Sequence, residues 1–311
     1  MLMWSLFALL LTVMLVVDLG LNRKSHTVSS REALIWSLVW ISLALLFNAG
    51  IWYTMGSGKA MEFFTGYVIE KALSVDNLFV FIMIFSYFGI EGRHQTRILK
   101  WGILGAVVMR GVFIFGGIGL MQRFSWLFYV FGALLVFTAW KMAFGGEGKV
   151  DPGKNLLVRL CSRMLPVTKK IHGDWFVTRR RGIWIASPLL LALVMIESSD
   201  VIFAIDSIPA IFAVTMDPFI VFTSNIFAIM GLRALYFLLS NMLGTFAYLK
   251  YGISFILAFV GVKMLLTAFD FHIAIPVSLA VIFSTLVISV SASLLAARST
   301  ARLAARTGSL P

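Results

Sequence analysis

Apolar stretches near residues 4–20, 33–53, 62–89, 102–120, 125–144, 186–214, 219–240, 248–269 and 274–297 fill most of this chain, each about long enough to cross a bilayer. In lipid there is no water to satisfy backbone N–H and C=O groups. The segments must therefore close their hydrogen bonds internally, which predicts an all-α polytopic membrane protein with about nine transmembrane helices. Composition excludes the soluble alternative. Of 311 residues, 60% are hydrophobic and 13% charged, too few polar side chains to cover a globule.

A net charge of +12 could suggest nucleic acid, but its distribution has a simpler cause. Arg23, Lys24 and Arg31 follow the first stretch, Arg93, Arg97 and Lys100 the third, and the cluster from Lys149 to Arg181 the fifth; Arg298, Arg302 and Arg306 follow the last. The intervening loops carry only Lys59 and Arg123. By the positive-inside rule the amino terminus is predicted outside and the carboxyl terminus in the cytoplasm, with the lipid bilayer and not nucleic acid as partner. The first stretch is read as a retained helix rather than a signal peptide, since its basic residues follow it. Cys161 is the only cysteine, so no disulfide within the chain and no thiolate cluster can form.

Two of the stretches hold carboxylates where lipid depth makes them costly, and such residues point to an ion site. Glu70, Asp76 and Asn77 stand in one; Glu197, Asp200, Asp206 and Ser207 stand in the other. Each pair of acids six apart is followed downstream by an arginine in an apolar run (Arg110, Arg233) and then a lysine (Lys141, Lys263). Three stretches separate equivalent points, so the second unit enters the membrane from the opposite side. Two inverted three-helix repeats are predicted, a plan that secondary transporters use around a midplane site. The chain divides accordingly into two amino-terminal helices (1–60), a first repeat (61–144), a basic cytoplasmic loop (145–185), a second repeat (186–270), and a last helix with a basic tail (271–311). Within the loop, Leu156, Leu157, Leu160 and Met164 are spaced like one helix face, suited to anionic lipid heads or to a plain linker.

At about 100° per residue, Asp200 and Asp206 are turned apart by roughly 240° on a straight helix. Pro209 leaves the carbonyl of Ile205 without its usual partner, so a helix break beside Asp206 is predicted to turn both acids to one ion. Counting from the interfaces brings Glu70 and Asp200 to similar depth, with Asp76 and Glu197 toward the cytoplasm and Asp206 toward the outside. The predicted metal ligands are Glu70, Asp76, Asn77, Glu197, Asp200, Asp206 and Ser207. Lys71, Arg110, Arg233 and Lys263 are the predicted charge-balancing residues, without which the empty site would repel itself. Carboxylate, amide and hydroxyl oxygens suit Mn²⁺, Mg²⁺ or Ca²⁺ better than zinc or copper. None of His26, His94, His172 and His272 falls at the acid layer. Crowded carboxylates also bind protons in competition with metal, which makes proton exchange available.

The stretches EFFTGYVIEKALSVDNLFVF (62–81), SPLLLALVMIESSDVIFAIDSIPAIFAVT (187–215) and DPFIVFTSNIFAIMGLRALYFLL (217–239) resemble the TerC family of integral membrane proteins, including its Alx-type members. The similarity extends over about residues 60–270; Ser187 stands before Pro188 where the family pattern leads one to expect Thr. This resemblance implies a bacterial inner (plasma) membrane protein associated with Mn²⁺ export, with tellurite resistance as the older family label. The family's acidic motifs fall on Glu70, Asp76 and Asn77, and on Glu197, Asp200, Asp206 and Ser207. The alternative is a membrane-protein assembly or stress-resistance factor, with the basic loop as contact surface and the acids structural. No nucleophile arrangement or cofactor motif suggests an enzyme, and no cofactor is predicted.

Overall fold

A computed structural model describes residues 2–20, 29–145, 156–168, 171, 173–180, 183–240, 248–269, 271 and 273–307. Several loop cations of the topology argument (Arg23, Lys24, Lys149, Lys154, Lys169, Lys170, Arg181), with His26, His172 and His272, lie outside the described residues.

The chain is helical nearly throughout. Helices α1 (Leu2–Gly20) and α2 (Ser30–Met55) come first, then α3 (Ser57–Phe88), α4 (Gly92–Arg123) and α5 (Leu127–Phe144). A short α6 (Leu156–Met164) and a hairpin of β1 (Val177–Arg180) with β2 (Ile183–Ala186) form the loop region; α7 (Pro188–Phe212), α8 (Pro218–Ile229), α9 (Leu232–Ser240), α10 (Leu249–Leu266) and α11 (Ile275–Thr307) complete the fold. Among the described residues, eight helices are long and apolar enough to cross a membrane, with α8 and α9 counted as one span. The charged α3, carrying Lys59, Glu62, Glu70, Lys71 and Asp76, is not among the eight.

Local chemistry sets the helix ends. Ser29 accepts from the Glu32 backbone N–H at 3.3 Å to cap α2, and Asp217 accepts from those of Phe219 and Ile220 to cap α8 ahead of Pro218 at its first turn. Gly89, at φ 60°, closes α3 in the left-handed conformation that a side chain disfavours.

The polarity of the fold is inverted relative to a soluble protein. Leu46, Val108, Val112, Phe137 and Ile288 face outward, while Glu70, Arg110 and Asn225 have no exposure at all. That arrangement suits lipid outside and a polar interior. Helix α3 lies at the centre, against α2, α7, α8 and α11, and α4 packs on α7 and α8. Helices α5 and α10 form the most extensive pairing, made close by Gly132 and Gly261. A methyl group on Gly261 would stand 2.8 Å from the Gly132 carbonyl oxygen, so only glycine permits this approach.

The predicted break at Pro209 is absent. Helix α7 runs unbroken to Phe212, because the hydrogen bond that Pro209 forfeits falls in the last turn, where the helix ends anyway. The discontinuity lies instead between α8 and α9. Gly231 sits there at φ 84°, with Trp40 of α2 packed so closely that a side chain at that position would strike its ring. In the loop region, Leu157 and Leu160 of the predicted apolar face of α6 are exposed, and it is Val158, off that face, that is buried against the core. The β-hairpin was not foreseen. Its four-residue strands alternate no apolar face, so no period-2 pattern marks them.

Candidate functional site

Four helices bring their polar side chains to one buried guanidinium. Arg110, on α4, donates through Nη1 to Glu70 Oε1 of α3, to Ser207 Oγ of α7 at 3.0 Å and to Asn225 Oδ1 of α8 at 3.0 Å. Its Nη2 reaches Asp200 Oδ1 of α7 at 3.4 Å. Asn225 Nδ2 donates in turn to Glu70 Oε2 at 3.2 Å, so both oxygens of Glu70 are engaged. Glu70 and Asp200 thus meet on one cation, while Arg110 Nε and Asp200 Oδ2 stay buried without a hydrogen-bond partner. A buried polar atom left over beside a charged cluster is costly and marks where a ligand could be received.

The other acids are distributed around this centre. Asp200 and Glu197 line a narrow cleft of about 20 Å³, whose remaining wall is largely apolar, including Phe81, Ile103 and Ile229. Glu197 lies over Gly105 of α4, so closely that a Cβ there would overlap its carboxylate. Asp206 is turned to α5, where Thr138 Oγ1 donates to it at 3.1 Å; the unbroken α7 keeps it facing away from Asp200. Asp76 is partly buried on α3 and makes no hydrogen bond or ion pair among the described residues, and the neighbouring Asn77 has a buried Oδ1 without a partner. Among the described residues no group of three or more His, Cys, Asp or Glu side chains converges as a metal shell. The seven predicted ligands are not gathered on one point in this conformation. Arg110 stands between Glu70 and Asp200.

Three of the predicted charge-balancing residues act elsewhere. Lys71 donates to the carbonyl oxygens of Ala228 at 3.1 Å and Met230 at 3.5 Å, the unpaired end of α8 at the Gly231 break. It neutralises a helix end, where carbonyls concentrate partial negative charge, and not an acid. Lys263 donates to Ser278 Oγ of α11 at 3.0 Å, because α10 faces α11 there. Arg233 pairs with Asp18 of α1 at 3.1 Å. Sequence reasoning missed Asp18, Thr138 and Asn225. Asp18 offered a signal, a lone acid near the end of an apolar run; Asn225 and Thr138 are uncharged residues whose value comes only from their neighbours.

This bundle, with its buried charged core and broken α8–α9 span, belongs to the TerC family: the profile of the integral membrane protein TerC family matches residues 55–301, most of the chain. The chain is 48% identical over 298 residues to Alx of Escherichia coli (strain K12), whose name describes it as a candidate membrane-bound redox modulator; the match covers 93% of this chain and 92% of that protein. It is 48% identical over 299 residues to the uncharacterized membrane protein STKORF319 of Myxococcus xanthus, covering 95% and 93%, and 40% identical over 296 residues to an uncharacterized membrane protein of Rickettsia bellii, covering 94% and 97%. No solved structure matches this chain. It is a multi-pass integral membrane protein of the TerC family.

Proposed function

We propose that this protein is a secondary transporter that moves a hard divalent cation, Mn²⁺ first and Ca²⁺ or Mg²⁺ as alternatives, out of the cytoplasm across the bacterial inner membrane, in exchange for protons. The observation that carries this reading is the pairing of Glu70 and Asp200, from helices far apart in sequence, across a single guanidinium in the middle of the bundle. Carboxylates held together at that depth have a use when a cation replaces the arginine, and their oxygens match a hard ion. The broken α8–α9 span beside them, and the packing of α3 on α7, α4 on α8 and α5 on α10, support an alternating-access plan with two related halves.

In this cycle Glu70 and Asp200 are the central ligands, Glu197 a ligand or proton carrier in the cleft, and Ser207 and Asn225 hold the shell. Asp76, Asn77 and Asp206 line the path on either side. The redox role in the name of the Alx relatives is compatible with this, since Mn²⁺ is a redox-active ion and its level can affect redox state without a dithiol in the carrier. Cys161 is the only cysteine of the chain.

Purified protein in sealed vesicles, with Mn²⁺, Ca²⁺, Mg²⁺ and Zn²⁺ fluxes compared across an imposed pH gradient, tests cargo and coupling together. Mn²⁺ flux that exceeds Zn²⁺ flux and rises with the gradient is expected; flux equal to that of empty vesicles for every ion removes the proposal. Gly105→Ala provides a check on Glu197. The atoms nearest the added methyl are those of the flexible Glu197 carboxylate, so folding is expected to suffer at most the lower part of the overpacking range of about 1–3 kcal/mol. Mn²⁺ flux is expected to fall to the level of Glu197→Gln. Wild-type flux in Gly105→Ala would show that the placement of Glu197 is immaterial.

A further inference from the structure

Arg233 stands second in α9, just past the Gly231 break, and lines two clefts at once. On one side is the acid cleft with Glu197 and Asp200. On the other is a second cleft, also of about 20 Å³, that includes Asp18 of α1 with Glu32 and Trp40 of α2. The guanidinium is committed to the second: Nη2 donates to Asp18 Oδ1 at 3.1 Å. Its Nη1 is buried without a partner, and so are Asp18 Oδ2 and Asp200 Oδ2. Arg233 thus has an unused donor and lines one cleft with Asp200 and the other with Asp18, two acids that each have an unused acceptor. Both Asp18 and Asp200 are at least nine-tenths buried, so neither is screened by solvent.

We infer that Asp18 is a positioning residue for the cation site: it holds the Arg233 guanidinium on α1 and so keeps that charge off Glu197 and Asp200. Without Asp18, the strongest remaining attraction for the arginine is the carboxylate pair across the acid cleft, and an arginine seated there competes with a divalent ion for the same oxygens. Lys100 donates to the Leu19 carbonyl at 2.7 Å, at the end of α1 beside Asp18, and so stays on the α1 side of Arg233. Glu32 is a second carboxylate lining the Asp18 cleft with Arg233, so its contribution has to be removed separately. The inference rests on the transport reading for its cation, and it adds a role for α1, which lies outside both predicted repeats.

The test is Mn²⁺ binding to the full-length protein in nanodiscs, read from the free-ion electron paramagnetic resonance signal. Asp18→Asn, alone and with Glu32→Gln, is expected to weaken binding by about 10- to 100-fold, the scale of a lost outer-shell partner. Asp18→Asn combined with Arg233→Gln is expected to return toward wild-type affinity, since the competitor is gone. Unchanged affinity in both Asp18→Asn and Asp18→Asn/Glu32→Gln overturns the inference. So does a double variant lacking Arg233 that binds as weakly as Asp18→Asn, because a purely structural role for the ion pair predicts no rescue. Should Asp18→Asn alone not fold, the Asp18→Asn/Arg233→Gln protein, which removes both members of the ion pair, decides: wild-type-like affinity supports the inference and weak affinity overturns it. A wild-type protein that binds no Mn²⁺ overturns the transport reading and this inference with it, whereas normal wild-type binding with an indifferent Asp18 overturns the inference alone.

Discussion

Arg110→Met is expected to lower the stability of the purified protein by about 3–5 kcal/mol, the cost of removing one partner from a buried ion pair. The guanidinium is wholly buried and serves Glu70, Asp200, Ser207 and Asn225 together, so its loss strands two buried carboxylates without their counter-charge. Arg110→Lys is expected to recover only part of the loss. A single ammonium carries the charge but lacks the planar fork that reaches Glu70 through one nitrogen and Asp200 through the other. Thermal unfolding in nanodiscs measures this, and adding Mn²⁺ sharpens the result. If the arginine stands where the cargo binds, Mn²⁺ should stabilise Arg110→Met more than wild type, because the ion no longer has to displace a built-in rival. Equal stabilisation by Mn²⁺ in both proteins would separate the arginine from the cation path.

Asp200→Asn is expected to reduce Mn²⁺ flux to the background of empty vesicles while the protein still inserts and folds. The amide keeps an oxygen for Arg110 Nη2, so the contact at 3.4 Å survives, but the negative charge that draws a divalent ion is gone. Ligand charge sets affinity for hard cations more than ligand size does, and a neutral amide in place of a carboxylate weakens such sites strongly. Asp206→Asn serves as the comparison. Its carboxylate accepts from Thr138 on α5 and stands apart from the Arg110 centre, so a smaller loss of flux is expected. Wild-type flux in Asp200→Asn would leave the central acids structural.

The difference between these two aspartates shows where reading from sequence succeeded and where it stopped. Their six-residue spacing told, correctly, that a regular helix would aim them apart. The remedy inferred from Pro209 was wrong, because a proline in a last turn ends a helix without breaking it. The actual discontinuity is at Gly231, and a glycine inside an apolar run is common enough in membrane helices that nothing singled this one out. Only the approach of Trp40 and the donation from Lys71 to the Ala228 and Met230 carbonyls give that break its meaning. From sequence Lys71 is expected to balance the buried acids, whereas in the fold it answers a helix end.

What the sequence by itself determined is the class of the molecule: apolar length, the scarcity of charge and the alternation of basic loops leave a helical bundle in lipid, and carboxylates at that depth stand out against their background wherever they fall. Partner choice belonged to the tertiary structure. Glu70 meets Asp200 only because α3, α4 and α7 converge on Arg110, and Arg233 answers Asp18 only because the fold brings the end of α1 within reach of the start of α9. Electrostatic pairing over a few ångströms depends on which helix faces are turned toward each other, and that is fixed by packing between segments up to 215 residues apart rather than by any local pattern.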